Sequence, residues 1–167
     1  MHVDGHGEPP QHRKDSGRSG QASGELFRAL LLEDSDDDAA LVGYNLKRAG
    51  LNPALRRVNG ERDFRAALEE SWDVIISDYE LPQYDGLQAL ELVQQLPEPP
   101  PFILYSGAVN TAIGKHFVAR GAFAWVSKDK AAELPAVILS AVRRPRAVEE
   151  DGRTSGAWSL RIENGRG

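Results

Sequence analysis

Short apolar runs alternate with amphipathic segments through the middle of the chain, and this alternation limits the possible folds more than any other feature. Four runs are nearly continuous and are bounded by polar or turn residues, at 27–32, 74–77, 102–105 and 123–126. Runs of this kind are typical of parallel strands that are buried on both faces. A fifth run, at 55–58, contains two arginines and is predicted to be an edge strand.

The segments between these runs repeat their apolar residues at helical spacing. Helices are predicted around residues 39–49, 64–72 and 134–141. Ser35 or Asp36 is expected to cap the first helix, Gly50 is expected to end it, and Gly60 precedes the second. Strands that alternate with helices in this way predict a parallel α/β sheet covered on both faces.

The length of 167 residues suits one ordinary domain with flanking segments. Residues 1–25 and 145–167 contain nine of the 16 glycines and show almost no apolar periodicity. A disordered N-terminal tail at 1–25 and a flexible C-terminal tail or linker at 145–167 are therefore predicted on either side of one domain at 26–144.

Composition excludes several classes of protein. The chain has no cysteine, which removes disulfides and thiolate metal sites and fits a reducing compartment. No apolar run approaches the roughly 18–20 residues needed to span a bilayer, and residues 1–25 contain no apolar stretch that could act as a secretory signal. The formal net charge of -5 and pI near 5.4 argue against nucleic-acid binding. A cytoplasmic location without membrane contact is expected.

Polar residues follow the predicted strands at their carboxyl ends, where ligands bind to sheets of this type. The first strand leads into Glu33 and Asp34, and the third ends on Asp78. The fourth ends on Ser106 and Gly107, and the fifth on Ser127 and Lys128. Three carboxylates, a hydroxyl and an ammonium group are therefore predicted to meet at one rim of the sheet.

Three carboxylates at one rim require a compensating cation, because like charges about 4 Å apart repel by roughly 4 kcal/mol at an effective dielectric near 20. Mg²⁺ suits such an open site, since it binds one or two carboxylates, keeps several waters and completes its shell with phosphate oxygens. Lys128 and Ser106 supply donors suited to a phosphoryl group. Asp78 is then the natural acceptor for that group.

Four segments together resemble the receiver domain of bacterial response regulators: LLLEDSDDD at 30–38, DVIISDYELPQYDGLQAL at 73–90, FILYSGA at 102–108 and GAFAWVSKD at 121–129. The resemblance implies a doubly wound, flavodoxin-like fold with five parallel strands in the order 2-1-3-4-5. It also implies two-component signal transduction, in which a histidine kinase or a histidine phosphotransfer protein supplies a phosphoryl group and Mg²⁺ is the cofactor.

The resemblance assigns a role to each residue at the strand ends. Asp78 would be the phosphoacceptor. The metal ligands would be Glu33 acting through water, Asp34, Asp78 and the backbone carbonyl of Glu80. Phosphoryl binding and switching would fall to Ser106, Gly107, Lys128 and the aromatic Trp125.

The chain departs from the family pattern at two positions. Receivers commonly have a proline in cis after the lysine, whereas Asp129 follows Lys128 here. A cis bond before a residue other than proline costs about 3 kcal/mol, so a trans bond is expected. Trp125 replaces the commoner Tyr or Phe, and its larger indole is expected to make the inward rotamer less accessible.

Simpler interpretations stay open for several residues. The start of a helix explains Asp36, Asp37 and Asp38 sufficiently, and Trp125 could fill the core. The chain could also be a non-phosphorylated interaction module or the receiver fragment of a larger sensor kinase. A hydrolase with an aspartyl-phosphate intermediate is a further alternative, for which Glu80 is the only local acid-base candidate. The favoured expectation is a receiver that is not an enzyme, acts on an unknown effector, and can form a phosphorylation-dependent homodimer.

Overall fold

The computed structural model describes residues 26–108 and 110–145. The long strands are β1 (Arg28–Leu32), β2 (Ala54–Val58), β3 (Val74–Ser77), β6 (Phe102–Ser106) and β7 (Ala124–Ser127). They form one parallel sheet in the order β2-β1-β3-β6-β7. Two short strands, β4 (Glu80–Leu81) and β5 (Tyr84–Asp85), form an antiparallel hairpin beside it.

Helices cover both faces of the sheet. They are α1 (Asp36–Arg48), α2 (Glu61–Ala67), α3 (Gly86–Gln94), α4 (Thr111–Ala119) and α5 (Leu134–Val142), with a 3₁₀ segment at Lys128–Glu133 before α5. Buried residues of α1 and α5 pack on one face, and those of α2, α3 and α4 pack on the other. None of the helices in the described ranges is long and apolar enough to cross a membrane.

The central strand β1 shows how the sheet is buried on both sides. Leu30 and Leu32 point toward Phe64 of α2, whereas Leu31 on the opposite face packs in the cluster that contains Val42 and Leu46 of α1. All of these side chains are at most 1% exposed. Side chains alternate across a strand, so a continuous apolar run is what two covered faces require.

The predicted fold class and strand order are confirmed, once the short hairpin is left out of the numbering. The prediction that the arginine-containing strand lies at an edge of the sheet is also confirmed, because β2 is an edge strand. Of the two proposed caps, Ser35 is the one used, because its hydroxyl accepts a hydrogen bond from the Asp38 N–H at 3.2 Å. The predicted tails lie outside the described residues, apart from Pro145.

The second helix is shorter than its apolar spacing predicts. It ends at Ala67, and Trp72 lies beyond it. The indole N–H of Trp72 donates to the carbonyl oxygen of Ala67 at 2.7 Å, which satisfies a carbonyl at the helix end and buries the ring. The prediction that the helix extends to 72 is therefore wrong, because this tryptophan folds back on the helix instead of continuing it.

A glycine in α4 makes room for the large aromatic residue of β7. A Cβ added to Gly114 would lie 2.5 Å from Cγ of Trp125 and closer still to two other atoms of the indole. The indole is half-buried and packs against the core cluster on this face. The contact depends on the absence of a side chain at position 114.

We expect Gly114→Ala to destabilise the protein, although glycine inside a helix is normally less favourable than alanine by about 1 kcal/mol. Overpacking against Trp125 costs about 1–3 kcal/mol and should exceed that gain. Gly43→Ala in α1 is the matched control, because nothing lies within 4 Å of an added Cβ there. Urea unfolding should show a loss of stability for Gly114→Ala and a gain for Gly43→Ala. Equal gains for both variants would contradict the packing described here.

Candidate functional site

Backbone pairing brings the carboxyl ends of the strands together at one rim. The N–H of Asp78 donates to the carbonyl of Leu32 at 3.0 Å, and the N–H of Glu33 donates to the carbonyl of Val58 at the same distance. These bonds continue the ladder one residue beyond β1 and β3, so Glu33 and Asp78 lie side by side. Ser106 at the end of β6 pairs in register with Ser127 of β7, and Lys128 follows directly.

Three of the predicted metal ligands converge at this rim. Glu33, Asp34 and Asp78 each offer a carboxylate oxygen, and these three oxygens lie within 4.8 Å of one another. Glu33 is completely buried, Asp78 is 8% exposed and Asp34 is exposed to solvent. Two of the acids are thus held by the fold, whereas the third faces water.

Lys128 reaches into this acidic group from the end of β7. Its ammonium Nζ lies 2.8 Å from Glu33 Oε2, 2.9 Å from Asp78 Oδ2 and 2.7 Å from Asp38 Oδ2. Burial alone would lower the pKa of Lys128, but the close pairing with three carboxylates outweighs it and raises the pKa above its ordinary value. The ammonium is therefore charged throughout the physiological pH range.

Glu33 is in the opposite electrostatic situation. Burial raises the pKa of the Glu33 carboxyl above its usual range, although Lys128 and the N–H of Ser35 favour the ionised form. The Ser35 N–H donates to Oε1 at 3.0 Å. Oε2 accepts no hydrogen bond of normal geometry from a described residue, although Lys128 lies close to it. Glu33 thus presents a buried oxygen whose partner is the Lys128 ammonium, 2.8 Å away.

Asp78 already has a donor for each carboxylate oxygen. Oδ1 accepts a hydrogen bond from the N–H of Tyr79 at 2.7 Å, and Oδ2 accepts one from Lys128. The next turn is tightly packed, because the N–H of Gly86 donates to the carbonyl of Tyr79 and a Cβ on Gly86 would lie 2.7 Å from the carbonyl oxygen of Asp78. The short hairpin begins at Glu80, two residues after Asp78 in the sequence, and forms this turn.

The predicted phosphoryl-binding residues lie around Lys128. Ser106 is 1% exposed, and its hydroxyl accepts a hydrogen bond from the N–H of Ala108 at 3.3 Å. Gly107 is exposed, and a Cβ there would approach the stem of Lys128 at 3.9 Å. Trp125 lies farther from the rim, against α4. No peptide bond within the described residues is cis, so the bond after Lys128 is trans.

Asp38 belongs to the site, and the interpretation of it as only a charge at a helix start is wrong. Helical side chains tilt toward the N-terminus of their helix. The first turn of α1 begins at the rim, so this tilt carries the Asp38 carboxylate back to Lys128. The position of Asp38 in the first turn is the only sign of this role in the sequence, because its partner Lys128 lies 90 residues away.

Arg57 in β2 is a second residue that sequence reasoning missed. Its guanidinium donates to the carbonyl of Glu33 at 2.8 Å, to the carbonyl of Asp34 at 2.9 Å and to the carboxylate of Asp36 at 2.5 Å. The planar fork of arginine suits several simultaneous acceptors. Arg57 therefore fixes the backbone that carries the first two acids, from behind the site.

We expect Arg57→Ala to lower the free energy of unfolding by about 1–3 kcal/mol, because hydrogen bonds to a charged group are lost and two carbonyls lose a donor. Arg56→Ala is the matched control on the same strand. Arg56 pairs with the half-exposed Glu70, and such a pair contributes about 1 kcal/mol at most. Urea unfolding of both variants measures the difference in their free energies of unfolding. An equal loss of stability would show that the Arg57 guanidinium does not hold the loop that carries Glu33 and Asp34.

Comparisons with known proteins agree on one family. A family model described as the response regulator receiver domain matches residues 29–139. The uncharacterized transcriptional regulatory protein YcbL of Bacillus subtilis (strain 168) is 26% identical over 118 residues, which is 69% of this chain and 50% of YcbL. The chain therefore spans about half the length of this curated relative.

Solved receiver structures have the same fold. A signal receiver domain from Vibrio parahaemolyticus is 25% identical with a TM-score of 0.64, over 71% of this chain and 92% of that one. A response regulator receiver domain protein from Clostridium thermocellum is 21% identical with a TM-score of 0.62, over 70% and 94%. The Mn²⁺-bound form of response regulator Rcp1 is 21% identical with a TM-score of 0.56, over 70% and 89%.

Proposed function

Because the chain belongs to the response regulator receiver family of two-component systems, we propose that it accepts a phosphoryl group on Asp78 in a Mg²⁺-dependent reaction. A histidine kinase or a histidine phosphotransfer protein would supply the group. The observation that carries the proposal is the ion cluster at the rim, where Lys128 joins Asp78 to two further carboxylates. The chain would act as a phosphoacceptor and signalling module rather than as an enzyme.

The surroundings of Asp78 suit a nucleophilic carboxylate. It is mostly buried but not sealed, with 8% exposure. A carboxylate oxygen would attack phosphorus while the bond from phosphorus to the donor's imidazole nitrogen breaks, and that nitrogen would keep the electron pair. Lys128, already 2.9 Å from Asp78 Oδ2, would stabilise the negative charge on the transferred group.

The donor set fits Mg²⁺. Glu33, Asp34, Asp78 and the backbone carbonyl of Glu80 are all hard oxygen donors, as this ion requires. Oε2 of Glu33 is buried and pairs only with Lys128 among the described residues, which supports a role through water. When bound, the ion would neutralise charge on the phosphoryl oxygens. Rcp1, one of the similar structures, was solved with Mn²⁺.

The remaining predicted residues would turn the modification into a signal. Ser106 and Gly107 lie at the end of β6 beside Lys128, where a new phosphoryl group would offer acceptors to the hydroxyl and to the backbone. A group that binds one conformer better than another shifts the population toward it. Trp125, packed on α4, would report that shift to the effector.

We expect the full chain, incubated with Mg²⁺ and acetyl phosphate, to gain the mass of one phosphoryl group. Asp78→Asn should gain none, because an amide cannot form the acyl phosphate. Asp73→Asn is the control for a carboxylate at the opposite end of β3, and it should still be modified. Intact-protein mass spectrometry is the measurement. No gain in the wild type would favour the interaction module, and steady phosphate release from phosphomonoesters would favour a hydrolase.

We expect Lys128→Ala to destabilise the metal-free protein by about 3–5 kcal/mol, because three carboxylates lose their common cation. Mg²⁺ should then raise the melting temperature of this variant more than that of the wild type, since it relieves the same repulsion. Lys130→Ala, at an exposed position two residues on, is the control. An equal or smaller Mg²⁺ effect in Lys128→Ala would contradict the placement of metal and lysine in one acidic cluster.

A further inference from the structure

Asp38 gives Lys128 a carboxylate that the proposed metal site does not use. The oxygens that lie within 4.8 Å of one another belong to Glu33, Asp34 and Asp78, and Asp38 is not among them. Asp38 Oδ2 nevertheless lies 2.7 Å from the Lys128 ammonium, a shorter distance than those to Glu33 and Asp78. Lys128 thus has two carboxylates in common with a metal and a third of its own.

This sharing creates a conflict when a divalent cation binds. Glu33 and Asp78 would have to serve both cations, and two positive charges within a few ångströms repel strongly in a partly buried site. The Lys128 ammonium would therefore have to leave these two carboxylates or keep another negative partner beside it. The side chain is only 16% exposed, so moving it into water would also abandon most of its packing.

We propose that Asp38 holds the Lys128 ammonium when a divalent cation takes Glu33 and Asp78, so that both cations can occupy the rim together. This inference rests on the proposed function. Asp38 is a positioning residue, because it acts through Lys128 and not on the phosphoryl group. Asp38 would keep the ammonium beside Asp78, where the proposed reaction needs it. The oxygens of Glu33 and Asp78 would then be available to the metal.

The local structure explains why this role falls to Asp38 and not to its two acidic neighbours. Asp36 already accepts a hydrogen bond from Arg57. Asp37 is exposed in the same turn of α1 and forms no ion pair with Lys128. The backbone of Asp38 is anchored by the Ser35 cap, while its carboxylate is 39% exposed and free to follow a moving ammonium.

The test is a Mg²⁺ titration of the full chain by isothermal calorimetry. We expect Asp38→Asn to weaken Mg²⁺ binding about fivefold or more, a typical coupling between neighbouring charged groups. Asp37→Asn removes the same charge from the same turn and should weaken binding less than about twofold, because that charge is exposed and screened by solvent. Asp38→Glu keeps a carboxylate within reach of Lys128 and should restore most of the affinity.

The same substitution made in a Lys128→Met variant separates the action of Asp38 through Lys128 from the simple loss of a negative charge. In Lys128→Met no ammonium competes for the carboxylates, so adding Asp38→Asn should change Mg²⁺ affinity less than about twofold. Equal weakening in both backgrounds, or equal effects of Asp37→Asn and Asp38→Asn, would overturn the role of Asp38 while leaving the proposed function intact. Failure of the wild-type chain to bind Mg²⁺ would instead overturn both proposals. A circular dichroism melt of each variant confirms that the titrated protein is folded.

Discussion

A single ammonium group ties together three parts of the chain that are distant in sequence. Lys128 follows β7, and its three carboxylate partners come from the end of β1, the first turn of α1 and the end of β3. The two buried partners, Glu33 and Asp78, would be unfavourable alone, since a buried carboxylate loses its hydration. The cluster is stable because the cation is shared, and the geometry of the rim depends on where that cation sits.

The topology of the sheet makes this sharing possible. Parallel strands with helical crossovers bring all their carboxyl ends to one edge, and β1 and β3 are hydrogen-bonded neighbours at its centre. Arg57 on edge strand β2 then holds the loop after β1 from the outer side. Glu33 is thus held at two points, because Arg57 binds its backbone carbonyl and Lys128 pairs with its carboxylate. The exposed Asp34 is the acid of this loop whose side chain is less constrained.

The sequence predicts what depends on periodicity and on strand ends, and it misses what depends on particular side chains meeting. Apolar runs with turn residues at their ends gave the five strands, and Glu33, Asp78 and Lys128 followed from their places at those ends. In the sequence Arg57 indicates only an edge strand, because its three acceptors lie on another segment. The strands of the hairpin at 80–85 are two residues each, too short to show any alternation.

Charge balance at the rim links the site to its proposed switching. Four carboxylates, from Glu33, Asp34, Asp38 and Asp78, lie around one ammonium, so the cluster has an excess of three negative charges when all four are ionised. A divalent cation would reduce that excess to one, and a phosphoryl group on Asp78 would raise it again. The transferred group would give the Lys128 ammonium a new partner in place of the Asp78 carboxylate. The contact between Asp38 and Lys128 would then be the one in this cluster that persists, because neither the metal nor the phosphoryl group takes the Asp38 carboxylate.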